Sequence, residues 1–174
     1  MTKAHAADAP AQHRAYAPLC VGCLVLTVSD TRTTDDDTSG RLCAERLEGA
    51  GHRAVERAIV RDEREAIRAA VLRGIARPDI DAVIATGGTG VSSRDSTPEA
   101  IEPLLDKALL GFGELFRALS FQEIGPAALL SRALAGTAQR TAVFVVPGSS
   151  AAVRLALDRL ILPELAHLVG QLRR

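Results

Sequence analysis

The residues best equipped for chemistry lie in one stretch, Thr86-Gly87-Gly88-Thr89-Gly90 followed by Arg94 and Asp95. Its glycines let backbone N–H groups come close to a ligand and accept positive φ. Thr97 and Pro98 then open a helix, with Thr97 as N-cap and Pro98 at the first helical position. A strand end, a glycine loop and a helix start together make a phosphate-sized anion site, because free N–H groups and the helix dipole favour negative charge. Arg94 adds a cation. Asp95 is the odd member, since a carboxylate beside a phosphate is repelled unless a cation lies between them, and that points to Mg²⁺. Two familiar phosphate loops are excluded: no Lys follows the glycines as a Walker A loop requires, and Gly88 to Ser93 lacks the third glycine of a dinucleotide fingerprint. The plain alternative is a glycine-rich turn.

Asp62 is the second candidate carboxylate. It precedes a helical pattern, so it is equally an ordinary N-cap, with Glu65 completing a capping-box-like arrangement. Two carboxylates at neighbouring strand ends can hold Mg²⁺ against a nucleotide's phosphates. Asp35, Asp36 and Asp37 form an acidic run that reads first as a solvated turn. Pro147-Gly148-Ser149-Ser150 either caps the helix after it or turns hydroxyl and N–H groups toward a ligand.

These loops need strands and helices to hold them, and the hydrophobic pattern supplies both. Strands are expected at 23–28, 53–60, 82–85 and 141–146. Helices are expected at about 40–50, 63–76, 98–110, 113–121, 151–160 and after Pro163, with 123–136 of mixed character. Strands separated by helices imply an α/β fold, a largely parallel sheet covered on both faces. Ligands of such sheets bind beyond the carboxyl ends of the strands. The loops 29–40, 61–62, 86–95 and 147–150 are therefore expected to converge on one edge, as a crevice for a phosphorylated ligand and a divalent metal.

At 174 residues the chain is expected to be one domain over 18–174, after an Ala/Pro-rich tail, 1–17, expected to be disordered. Twenty-one basic residues balance twenty-one acidic ones, so no net field advertises nucleic acid or membrane as partner. No apolar run reaches membrane-span length and no signal peptide is visible, so the cytoplasm is the expected compartment. Cys20 and Cys23 have C-x-x-C spacing, but only Cys43 remains as a further cysteine and no histidine stands at metal-knuckle spacing. Buried small hydrophobes at a strand start is the reading adopted. His52 and His167 have no obvious partner.

The chain resembles the MogA and MoaB family of molybdenum cofactor biosynthesis proteins, a fold that recurs in gephyrin and MoeA. The matching strings are Leu26-Thr-Val-Ser-Asp30, Asp36-Asp-Thr-Ser-Gly40, Thr86-Gly-Gly-Thr-Gly90, Arg94-Asp-Ser-Thr-Pro-Glu-Ala100, Phe116-Arg-Ala-Leu-Ser-Phe-Gln-Glu-Ile-Gly125 and Pro147-Gly-Ser149. Ordered matches run from about 20 to 165, and two of the strings are closer to the MoaB branch. The resemblance implies a three-layer α/β/α sandwich with a mostly parallel central sheet. It also implies molybdopterin adenylyltransferase chemistry, in which molybdopterin's terminal phosphate attacks the α-phosphorus of ATP and releases pyrophosphate. On that reading Asp62 and Asp95 are the acidic pair that supports Mg²⁺ and catalysis. Ser29, Asp30, Ser39, Gly40, Thr86, Gly87, Gly88, Thr89, Gly90 and Arg94 belong to the nucleotide and phosphate side, and Ser120, Pro147, Gly148 and Ser149 line the pterin end. Homotrimers, or homohexamers in the MoaB branch, and the metal-insertion protein MoeA are the implied partners. Residues 111–125, rich in Phe and Leu, are the expected subunit contact, with core packing as the alternative. The alternative function is a non-catalytic molybdopterin-binding oligomer that stores or delivers the cofactor precursor.

Overall fold

Apolar runs too short for helices form the parallel part of the sheet. The computed structural model describes residues 18–174, and the expected tail, 1–17, lies outside the described residues. Strands β1 (Gly22–Val28), β3 (Ala82–Thr86) and β6 (Thr141–Val146) are buried at every position. That is the pattern of strands covered on both faces. β2 (Arg53–Val60) is partly exposed and carries Arg53, Glu56 and Arg57, as suits an edge strand protected by charge. The order is β2-β1-β3-β6-β5-β4. β1 pairs in parallel with β2 and β3, and β3 with β6.

Two strands were not expected. β5 (Leu134–Ala138) runs antiparallel to β6, and the short β4 (Lys107–Ala108) antiparallel to β5. Helices α1 (Thr38–Gly49), α4 (Leu110–Ile124), α5 (Ser150–Ala156) and α6 (Leu162–Leu172) contribute to one core layer, around Phe116, Leu47, Leu157 and Leu165. Helices α2 (Arg64–Ile75) and α3 (Thr97–Ile101) close the other face through Ile67, Val71 and Ile101. The result is the expected three-layer α/β/α sandwich.

The helix expected over 98–110 is cut short. α3 ends at Ile101, and a 3₁₀ turn, Glu102–Leu104, contains Pro103. Pro103 cannot donate to the preceding turn, which ends the α-helical ladder there. α5 and α6, read from sequence as separate helices, join through a π-helical turn, Leu157–Ile161, just before Pro163. No helix among the described residues is long and apolar enough to cross a membrane.

Candidate functional site

The four loops do converge at the carboxyl edge of the parallel strands. Gly87 N–H donates to Val146 O at 3.1 Å, joining the ends of β3 and β6. Ser39 Oγ donates to Gly148 O at 2.6 Å, joining the loop after β1 to the loop after β6. Asp62 N–H donates to Asp30 Oδ1 at 3.2 Å, and Arg94 forms an ion pair with Asp30, joining the loops after β2, β1 and β3. A cavity of about 400 Å³ opens between the loops after β3 and β6 and the helix α4, and Ser29, Asp30, Ser39, Gly40 and Asp62 lie outside its lining. Gly87, Gly88, Thr89, Gly90, Asp95, Ser120, Pro147, Gly148 and Ser149 line it, with Phe116, Ile124 and Leu130 on the apolar side.

The loop conformation explains its glycines. Gly87 has φ +99°, and a Cβ there would stand 2.3 Å from Val28 O. Gly88 has φ +61°, and a Cβ there would meet Thr97 Oγ1 at 2.3 Å and Asp62 Oδ2 at 2.5 Å. Both positions need the left-handed region as well as the missing side chain.

Asp62 is not the helix cap expected of it. Glu63 holds the N-cap position of α2, without a side-chain cap bond. The Asp62 carboxylate instead turns under the glycine loop, where Ser96 N–H and Ser96 Oγ–H both donate to its Oδ1, at 3.1 and 2.9 Å. Thr97 is likewise not the cap of α3. Ser96 occupies that position, and the Thr97 hydroxyl is fully buried with no hydrogen-bond partner.

Asp95 faces the cavity beside Gly90 and accepts a hydrogen bond from Ser92 N–H at 2.9 Å. Hydrogen bonds from Ser92, then the Gly90 N–H and the nearby Arg132 charge, hold its carboxyl below the usual carboxylate range against a desolvation that opposes them. Asp30 is lowered too, first by the Arg94 guanidinium and then by the Asp62 N–H.

Other expected site residues take supporting places. Arg94 is exposed, paired with Asp30, and outside the cavity lining. Ser29 Oγ accepts from Thr31 and Arg32 N–H, closing a turn. Thr86 is fully buried at the end of β3. Ser149 caps α5, its Oγ accepting from Ala152 N–H at 3.2 Å, while still lining the cavity. Gly40 donates its N–H to Asp37 Oδ1 at 2.8 Å.

The acidic run is not uniformly solvated. Asp35 and Asp36 are exposed, but Asp37 is buried as the N-cap of α1 and also accepts from Thr27 Oγ and Arg57. Its signal was present: Asp three residues before Gly40, at the head of an amphipathic helix, is a capping pattern. Arg132 carried no such signal, yet it hydrogen-bonds to the carbonyls of Thr89, Gly90 and Asp95. Of the cysteines, Cys23 is buried as expected but Cys20 is exposed, because it precedes the strand, and Cys43 is buried in α1. His52 does have a partner, accepting Val21 N–H on Nδ1, and His167 pairs with Glu164 and Gln171.

Against known proteins, residues 24–167 match the family model MoCF_biosynth, "Probable molybdopterin binding domain". The chain belongs to this family. It is 53% identical over 164 residues to molybdenum cofactor biosynthesis protein B of Bacillus subtilis, covering 94% of this chain and 96% of that one. A crystal structure of a molybdenum cofactor biosynthesis protein B superposes with a TM-score of 0.88 at 52% identity, covering 91% of this chain and 99% of the other. A structure of MogA superposes with a TM-score of 0.79 at 29% identity, covering 87% and 99%. The fold of this chain is thus the fold of these relatives.

A fit for Mg²⁺ can be tested on these residues. Among the described residues no three His, Cys, Asp or Glu side chains gather as a metal cage. Mg²⁺ does not require one, since one or two carboxylates plus substrate phosphates suffice. Ser96 donates both its bonds to Asp62 Oδ1, leaving Oδ2 without a donor among the described residues. That oxygen and the orphaned Thr97 hydroxyl approach the same point above Gly88. Asp95 offers an ionised carboxylate on the cavity side. The residues fit the ion.

Proposed function

We propose that this chain acts in molybdenum cofactor biosynthesis as an adenylyltransferase, joining molybdopterin to the adenylyl group of Mg-ATP with release of pyrophosphate. The observation that carries the reading is the cavity itself: a glycine loop, a helix start and an ionised Asp95 on one side, apolar Phe116 and Ile124 on the other. The first half suits phosphates and the second a flat heteroaromatic ring. Gly88 and Thr89 would offer their backbone N–H groups to phosphate, the Gly87 N–H being held by Val146 O, and Ser120 with Pro147 to Ser149 would line the pterin end. Asp62 Oδ2 and Asp95 would hold Mg²⁺, which neutralises charge on the phosphates as one phosphorus–oxygen bond forms and another breaks. No side chain has to become covalently attached, because the pterin phosphate is the nucleophile. The chain's own part is positioning and the exclusion of water. Ser29, Asp30, Ser39, Gly40, Thr86 and Arg94 brace the loops behind the cavity.

The chain would work as a homotrimer or homohexamer and pass its product to a metal-insertion protein of the MoeA type. α4 supports the assembly in an unexpected way. Phe112, Phe116 and Leu119 turn to the core, whereas Leu110, Leu115, Phe121 and Ile124 are exposed. Leu110, Phe121 and Ile124 share one side of the helix and would supply the subunit contact.

A second reading, a non-catalytic molybdopterin-binding oligomer, draws support from the hydrogen bonds that already tie both carboxylates into the loop. The experiment is conversion of molybdopterin and Mg-ATP to adenylyl-molybdopterin by the purified protein, beside Asp62→Ala and Asp95→Ala. Turnover in the parent that collapses in both variants supports the enzyme. Bound molybdopterin without turnover in the parent rejects it in favour of the carrier.

A further inference from the structure

Arg132 lies between a 3₁₀ turn (Gly125–Leu130) and β5, outside the cavity lining, yet its guanidinium reaches both ends of the glycine loop. Nε donates to Gly90 O at 2.8 Å and more distantly to Thr89 O at 3.3 Å. Nη2 donates to Asp95 O at 3.0 Å, and Nη1 pairs with Glu99 on α3. A trans peptide points its C=O and its N–H in opposite directions. A guanidinium that draws a carbonyl back therefore aims the next N–H forward.

Those forward N–H groups have particular targets. The Thr89 and Gly90 carbonyls turn to Arg132, and two residues on the Ser92 N–H turns to the Asp95 carboxylate. The Asp95–Ser96 peptide gives its carbonyl to Arg132 and its N–H to Asp62 Oδ1. Asp62 is thus joined to the guanidinium through one peptide unit, and Asp95 through its own backbone carbonyl and the loop segment 89–92 that the same guanidinium grips. Such a chain of charge, amide and opposite charge strengthens each of its bonds. It also fixes where both carboxylates stand relative to each other, which hydrogen bonds within either loop end alone would not do.

We propose that Arg132 is the positioning residue of the site, setting the orientation of Asp62 and Asp95 through the backbone carbonyls it holds without touching ligand or metal. The inference deepens the adenylyltransferase reading and rests on it for its consequence. Lysine is no substitute: a single ammonium cannot serve three carbonyls and Glu99 in the fork geometry.

The test compares the parent with Arg132→Gln and Arg132→Lys by Mg-ATP binding, with and without Mg²⁺, and by amide hydrogen exchange. The expected result is about tenfold weaker Mg-ATP binding in both variants, with most of the gain from Mg²⁺ lost. Exchange should quicken over residues 88–96 while the sheet keeps its protection, a pattern that general destabilisation does not produce. Should Arg132→Gln fail to fold, Arg132→Lys keeps the charge and stem and decides alone. Unchanged exchange in the loop, or a looser loop with unchanged Mg-ATP affinity, overturns the proposal. A parent that binds no Mg-ATP instead rejects the adenylyltransferase reading, and the exchange data alone then decide whether Arg132 sets the loop.

Discussion

Replacing Gly88 by alanine should reveal how tightly the glycine loop is built onto Asp62. At φ +61° an alanine enters the left-handed region, a strain of roughly 1–2 kcal/mol. Its Cβ would lie 2.5 Å from Asp62 Oδ2 and 2.3 Å from Thr97 Oγ1, distances no real Cβ keeps. Thr97 is fully buried and cannot swing out to solvent, so the half-exposed Asp62 carboxylate must move. Moving it breaks one of the two hydrogen bonds from Ser96, and a charge-assisted bond of this type is worth roughly 1.5–3 kcal/mol. The total is about 3–5 kcal/mol, or a fall in Tm on the order of 10 °C for a domain of this size.

The reasoning makes a sharper claim in a double-mutant cycle. In an Asp62→Ala background the carboxylate is gone, and Gly88→Ala should keep only the costs that do not involve it, the backbone strain of about 1–2 kcal/mol and the crowding against Thr97 Oγ1. The two substitutions should therefore couple by about 2 kcal/mol, with the pair less destabilised than the sum. Urea unfolding of the four proteins measures this. Gly49→Ala is the control: nothing lies within 4 Å of its Cβ position at the end of α1, and it should match or slightly exceed the parent. Equal cost of Gly88→Ala in both backgrounds would refute the contact with Asp62. A total below about 1 kcal/mol would refute the strain as well.

Asp37→Ala should destabilise by about 2–3 kcal/mol in chemical denaturation, since it strands Gly40 N–H, Thr27 Oγ–H and the partly exposed Arg57; a loss under about 1 kcal/mol would mean that the loop relaxes to solvent instead. Asp95 has a native pKa below its unfolded value, so its contribution to stability is complete above about pH 4 and disappears as pH falls through the lowered native value. The stability gap between parent and Asp95→Asn should accordingly close on acidification, and a gap that persists or widens would reverse the sign assigned to the shift. A thiol reagent at pH 8 should label Cys20 alone in the native protein. Burial pushes Cys23 well up and Cys43 up to about 12, so both should react only after unfolding; native labelling of either would contradict the packing.

The parallel strands were legible because burial on both faces leaves an uninterrupted apolar run, as in Leu24–Val28 and Ala142–Val146. β5 was not, because Leu134-Ala-Gly-Thr-Ala138 has little strand propensity of its own. It is held in place by its antiparallel partners on either side, a tertiary cause invisible in a window of sequence. Within the site, the glycine loop and Asp95 were readable from local chemistry. For Asp62 the sequence left the candidate carboxylate and the ordinary N-cap side by side, because an Asp before a helix has that default use and nothing nearby announces Ser96 as its donor. Arg132 was missed for the same reason, lying some forty residues from the carbonyls it holds. Local pattern reveals where a loop turns, and distant contacts decide which way its peptides face.

The order of strands explains why the chemistry gathers where it does. From β1 the chain leaves toward β2, with α1 against one face of the sheet. From β2 it returns past β1 to β3, with α2 against the other face. β1 and β3 are therefore neighbours whose outgoing connections diverge, the arrangement that opens a crevice in an open parallel sheet. The contact between Gly87 and Val28 O closes the floor of that crevice, and the Asp30–Arg94 pair bridges its rim. A loop of free N–H groups placed there would attract any small anion. Asp95 opposes this, since its ionised carboxylate faces the same cavity. A bare phosphate meets that repulsion undiminished, whereas a phosphate that arrives with a divalent cation converts it into attraction. On the adenylyltransferase reading, the acidic side chain beside the glycines would select for a phosphate that carries a divalent cation, and Arg132 behind the loop would hold the loop's shape around that charge.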